Sequence, residues 1–240
     1  MVQIELAKVN GLEVKLYTSI NHATADIINN YLDKASSAVA INPEKIILSR
    51  ESLLIKNVLE NNEIRYADGI GVVKYISYKT EKKISRIPGC ELWEQLMKEA
   101  GIRKLPVYLI GAKSETLNQV IVKLKENYST PIVGFHDGYF SNEDKLINDI
   151  LLSKAKIVSV ALGSPKQELF ISKCKQAGIK AFFMGVGGTY DVFTGNVKRA
   201  PKIFCDLGLE WFYRLVSQPS RVIRQGNLIK FLWLAITNKL

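Results

Sequence analysis

Five short stretches bring small and polar residues together where a chain could meet a ligand. They are Asn42-Pro43-Glu44, Gly111-Ala112-Lys113, His136-Asp137-Gly138-Tyr139, Gly163-Ser164-Pro165-Lys166-Gln167 and Gly185-Val186-Gly187-Gly188. Small residues let a ligand approach the backbone, and the N-terminus of a following helix offers free N–H groups to anions. The chemistry they point to is capture of a phosphate-bearing ligand such as a nucleotide. Asp68, followed by Gly69, is a carboxylate ahead of a helical stretch over 70–78. It could take a proton in catalysis or cap that helix, and spacing alone favours the cap. Arg214, Arg221 and Arg224 form a third group. At about 100° per residue they would share one sector of a continuous helix, although Pro219 interrupts the run. Arginines of this kind neutralise phosphates through charge-assisted, often bidentate contacts.

Other chemistries lack their motifs. There is no GxxxxGK[ST] phosphate loop, no HExxH and no GxSxG elbow. Gly185-Val186-Gly187-Gly188 lacks the GxGxxG spacing of a dinucleotide site. Two histidines, His22 and His136, do not make a common multi-histidine metal site. No two aspartates are separated by a single residue, so the Asp-X-Asp pair that holds a divalent metal against a nucleotide diphosphate is missing. No metal or other cofactor is expected; if the ligand is a nucleotide-sugar, arginines are the natural substitute for a metal at its departing diphosphate.

The elements that must position these residues alternate between β-rich runs and helical patterns. Strands are expected over 13–18, 38–42, 106–111, 131–135, 157–162 and 180–184. The near-continuous apolar run Ile157-Val158-Ser159-Val160-Ala161-Leu162 suits a strand buried on both faces. Helices are expected over 90–100, 114–128 and 165–177, with another opening at Ser141 as N-cap and Asp144 at N3. The alternation predicts an α/β fold with an open, doubly wound, mostly parallel sheet. Ligands of such sheets bind beyond the carboxyl ends of the strands, where the five stretches fall. One catalytic domain is expected over 1–193, followed by a basic helical appendage over 194–240.

The chain has 240 residues, 47% hydrophobic and 23% charged, an ordinary globular mix. Three cysteines in no CxxC pair read as reduced thiols of a cytosolic protein. No signal peptide and no bilayer-spanning apolar run is expected. The net charge of +10 calls for an anionic partner. From residue 194 onward, eight basic residues face only Asp206 and Glu210, and no acid follows Glu210. The same stretch carries Phe231-Leu232-Trp233-Leu234-Ala235-Ile236. A cationic segment with bulky apolar residues suits an anionic membrane surface. A helix docked on its own core, with solvated lysines, explains the same residues. A nucleic-acid-binding protein and a non-catalytic membrane scaffold are the rival functions, although no nucleic-acid-binding signature supports the former.

Several motifs together resemble the WecG/TagA/CpsF family of bacterial glycosyltransferases. They are Asn42-Pro43-Glu44, Ala67-Asp68-Gly69-Ile70-Gly71, Arg86-Ile87-Pro88-Gly89, the run 134–140, the run 162–168, the run 184–188, the run 195–201 and the run 207–214, all in the family's order. The resemblance implies metal-independent, inverting transfer of a sugar from a UDP-sugar to an undecaprenyl-diphosphate-linked saccharide. The products would feed teichoic acid, capsule or common-antigen synthesis. It implies a protein peripheral on the inner face of the cell membrane, with a C-terminal appendage that completes the active site. Apolar tail residues such as Trp233 suit a homo-oligomer that masks them off the membrane. Nucleic acid is not an expected partner.

With the resemblance, Asp68 becomes the expected general base. Asn42, Arg86 and Gln167 become expected substrate contacts, and Gly111, Gly185, Gly187 and Gly188 expected backbone contacts to the nucleotide. Arg214, Arg221 and Arg224 are expected to engage the diphosphate. His136 and Asp137 are expected to order their own loop, and Tyr139 and Phe140 to join the core. Family members often carry Thr two residues before the Asn of Asn-Pro-Glu, where this chain has Ala40. The donor sugar or acceptor is therefore open to differ from N-acetylmannosamine chemistry.

Overall fold

The computed structural model describes residues 4–198, 200–201, 204, 213 and 222–240, the side chains of 222–225 excepted. Its strands are β1 (Leu6–Val9), β2 (Leu12–Lys15), β3 (Ser36–Ile41), β4 (Ile64–Ala67), β5 (Val107–Gly111), β6 (Ile132–His136), β7 (Ile157–Ala161) and β8 (Phe182–Gly185). Its helices are α1 (Ile20–Asn30), α2 (Pro43–Glu51), α3 (Leu53–Glu60), α4 (Ile70–Thr80), α5 (Gly89–Arg103), α6 (Ser114–Tyr128), α7 (Glu143–Ser153), α8 (Lys166–Gln176), α9 (Thr189–Thr194) and α10 (Val222–Ile236).

One eight-stranded sheet runs in the order β1-β2-β4-β3-β8-β7-β5-β6. Every neighbouring pair is parallel except the β1–β2 hairpin. The expected doubly wound α/β fold is therefore present. Alternation along each strand distributes the helices. On β5, Val107 and Leu109 face a core shared with Trp93, Leu96, Val120 and Tyr190 of α5, α6 and α9. Tyr108 and Ile110 face the opposite core, with Ile150 of α7 and Phe170 of α8. A third cluster, around Ile41, Ile46, Val72 and Tyr75, packs α2 and α4. The serine in the apolar β7 run is satisfied internally: Trp93 Nε1–H donates to Ser159 Oγ (2.8 Å), and Tyr190 shares the same hydroxyl (2.9 Å).

Three sequence readings need correction. The N-cap of α7 is Asn142, whose Oδ1 accepts the Lys145 N–H (2.9 Å), so Ser141 lies one residue outside the helix. Phe140 joins the core as expected, but Tyr139 is 73% exposed, because the turn at Asp137-Gly138 swings it outward. Strand β1, which closes a hairpin onto the strand expected over 13–18, was not foreseen.

The C-terminal region is described at its far end. Helix α10 lies against α2. Phe231 is fully buried and Leu234 nearly so, both within the Ile41–Tyr75 cluster. A boundary at residue 193 therefore leaves the core side chains of Phe231 and Leu234 on its far side. The outward face of α10 carries Ile229, Leu232, Trp233 and Ile236, all exposed. Among the described residues, no helix is long and apolar enough to cross a membrane.

Candidate active site

The site begins where β3 and β4 end. Their register pairs Ile41 with Ala67, so Asn42 and Asp68 leave the sheet side by side. The Ile41 carbonyl then accepts the Asp68 N–H (3.0 Å), extending the pairing one residue past the strand. Asn42 is the N-cap of α2, its Oδ1 taking the Lys45 N–H (2.9 Å). The chain can turn so closely because residue 69 has no side chain: a Cβ there would lie 2.5 Å from Pro43 Cδ.

Asp68 does not cap α4. That position belongs to Gly69, with no side-chain hydrogen bond. Instead Arg86 grips Asp68 twice, Nε donating to its main-chain carbonyl (2.6 Å) and Nη2 lying 3.4 Å from Oδ1. Both side chains are about a quarter exposed, at 27% and 22%. A carboxylate held by the edge of a guanidinium, facing the rim and not engaged in capping, is suited to accept a proton.

One strand further along, Gln167 is buried under the end of β8. Its Oε1 accepts the Gly187 N–H (3.0 Å) and its Nε2 lies 3.3 Å from Glu168 Oε1. A Cβ on Gly185 would meet that Nε2 at 2.6 Å, so the carboxamide occupies the space the glycine leaves. Gly188 follows as the N-cap of α9. Gly111 ends β5 with its backbone pressed against Ala161 of β7.

Beyond β7 and β5 the rim opens into a cavity of about 1010 Å³. Lys113 and Lys166 line it, together with Tyr139, Thr116, Asp191 and Asn196. The last three are linked: Asn196 Nδ2 donates to Thr116 Oγ1 (3.2 Å), which donates to Asp191 Oδ1 (3.4 Å). The loop bearing Tyr139 is braced by Asp137, which accepts hydrogen bonds from the Ser114 hydroxyl and the Tyr139 N–H. Those donors hold its carboxyl below the ordinary aspartate value.

The structure thus unites Asn42, Asp68 and Arg86 in one group, and Gln167, Gly185 and Gly187 in a second. Arg214 and Arg221 lie outside the described residues. Arg224 falls in the first turn of α10, without a described side chain. Sequence reasoning missed Thr116, Asp191 and Asn196. Thr116 and Asp191 lie in the first turns of the helices that follow β5 and β8. Extending the strand-end rule one helical turn would have found them. Ala40 is a partly buried residue of β3, packed on the core of α1, α5 and α6. Among the described residues, no group of three or more His, Cys, Asp or Glu could hold a metal.

A carboxylate at one strand end and a broad cavity of mixed polarity share the carboxyl edge of a doubly wound α/β sheet. The profile of the glycosyl transferase WecG/TagA/CpsF family matches residues 8–240. The chain belongs to that family and is a glycosyltransferase of the kind that serves cell-surface polysaccharide synthesis.

Proposed function

We propose that the protein transfers a sugar from a UDP-sugar to a prenyl-diphosphate-linked saccharide, with inversion and without a metal. The observation that carries this reading is the shared rim of the cavity and Asp68. Asp68 follows β4 and the cavity starts at β7, three strand spacings away, or about 14 Å. An extended nucleoside diphosphate with a hexose attached can bridge such a gap. Asp191 can accept the uracil imide N–H and Asn196 can donate to a uracil carbonyl. The exposed Tyr139 ring offers a stacking face, and Lys113 and Lys166 favour the phosphates.

In this arrangement the acceptor hydroxyl oxygen attacks the anomeric carbon. The carbon–oxygen bond to UDP breaks, its electron pair leaving with the β-phosphate. Asp68 takes the hydroxyl proton, and Arg86 fixes the carboxylate in the line of attack. Arg214, Arg221 and Arg224 are assigned to the departing diphosphate. The outward face of α10 meets the anionic inner surface of the cell membrane, where the lipid-linked acceptor resides. Off the membrane, the same apolar face favours self-association.

The test is UDP release over a panel of UDP-sugars with a prenyl-diphosphate-GlcNAc acceptor analogue. Asp68→Asn is expected to lower turnover by roughly 10²- to 10⁴-fold while leaving folding and UDP affinity intact. Near-normal turnover in the folded variant would overturn the assignment.

A further inference from the structure

A buried ion pair links the two groups of site residues. Lys45 stands in the first turn of α2, its N–H capped by Asn42. Its Nζ crosses to α8 and meets Glu168 Oε1 at 3.0 Å. The side chains are 15% and 3% exposed. The same Glu168 oxygen faces the Gln167 carboxamide, which in turn holds the Gly187 N–H. One polar chain therefore runs Asn42–Lys45–Glu168–Gln167–Gly187, across the adjacent ends of β3 and β8.

Packing does not account for this pair. Apolar side chains of similar volume serve a buried position as well or better than an ion pair. Moreover, Glu168 Oε2 is buried without a hydrogen-bond partner among the described residues, a cost to stability that a purely structural pair has no reason to carry. What the pair supplies is direction. A charge-assisted contact fixes the first turn of α2 against the first turn of α8, and with them the headings of Asn42 and Gln167.

We propose that Lys45 and Glu168 are positioning residues for sugar transfer, setting the distance and orientation between Asn42 and Gln167 across the β3–β8 gap. The proposal rests on the reading of that rim as the transfer site. Neither residue touches the reacting atoms. Both act through their neighbours, and they do so on the side of α8 away from the nucleotide cavity, which Lys166, Leu169, Phe170 and Lys173 line.

The decisive variant removes both charges. Lys45→Met and Glu168→Leu singly leave a lone buried charge and are expected to unfold more readily. Combined, they restore an apolar pair and are expected to recover the melting temperature of the parent. In the double variant kcat for UDP release is expected to fall at least tenfold, since small misplacements at a transfer site carry large rate losses. The Kd for UDP alone, measured by calorimetry, is expected to stay within twofold. Lys45→Arg, which keeps the charge, is expected to retain most of kcat. A stable double variant with kcat within twofold of the parent overturns the inference, as does a parallel loss of UDP affinity. The two readings separate cleanly: normal turnover in Asp68→Asn removes the transfer site, whereas an inactive Asp68→Asn beside a fully active double variant removes the positioning role alone.

Discussion

Replacing Phe231 with alanine asks whether the last helix is part of the body. The ring is fully buried, meets Tyr75 edge-on at a centroid distance of 6.4 Å, and lies where a Cβ on Gly71 would be 3.3 Å away. Truncating such a ring costs about 3–5 kcal/mol. If the loss is felt by the whole fold, it lowers Tm by about 6–20 °C for a chain of this size. If α10 opens by itself, the same energy raises its opening constant by roughly 10²- to 10⁴-fold and Tm moves less. Hydrogen exchange resolved by peptide distinguishes the two, and α10 amides are expected to exchange faster in either case. Ile236→Ala, at a position 82% exposed, is the control and is expected to change stability by less than about 0.5 kcal/mol. Equal behaviour of the two variants would refute the docking argument. A body ending at residue 193 tests the same contacts by removal. Such a truncation strips Phe231 and Leu234 from their cluster and is expected to melt well below the full chain.

Gly69→Ala and Gly185→Ala should differ in kind. The first forces a Cβ against the Pro43 ring and is expected to cost about 1–3 kcal/mol in thermal unfolding. The second displaces the movable end of Gln167, so a smaller Tm change with a clear loss of turnover is expected; the reverse order would undo the close-approach argument. Asp26 tests acid stability. Burial by itself would raise its carboxyl, but hydrogen bonds from Lys15, Tyr17 and Asn30 hold it below the ordinary value. Its contribution is complete above that ordinary value and is lost as pH falls through the lower folded one. Asp26→Asn is thus expected to flatten the fall of the urea midpoint as pH drops below about 4, and an unchanged acid slope would contradict it. Finally, Ile229→Ser with Trp233→Ser is expected to weaken binding to anionic vesicles while leaving Tm near that of the parent, and undiminished binding would remove α10 from the membrane reading.

The sheet was legible because its inner strands obey simple patterns. The run from Ile157 to Leu162 is apolar on both faces, and the 3-4 spacing over α6 gave that helix its full extent. The missed β1–β2 hairpin carried a usable signal. Asn10-Gly11 joins the two strands, and both residues have positive φ, as a tight hairpin turn requires. Strand β4 has only four residues, too few for a period to stand out. In the site, the residue types at Asn42, Asp68 and Gln167 pointed to the rim. Their partners were not legible. That Arg86 reaches back to Asp68, or Lys45 across to Glu168, depends on strand order, which places β4 beside β3 and β3 beside β8. Contacts between residues 123 positions apart leave no trace in local composition.

The docking of α10 has a consequence for the helix it covers. Helix α2 begins at its cap Asn42, on the rim, and its last turn carries Arg50, which donates to the Lys239 carbonyl (2.8 Å). One helix therefore reaches from the strand ends to the far end of the chain, and Phe231 and Leu234 sit in the same cluster as its Ile46 and Ile47. Anything that lifts α10 uncovers α2, so a disturbance at the far end of the chain is carried to Asn42 through one rigid element.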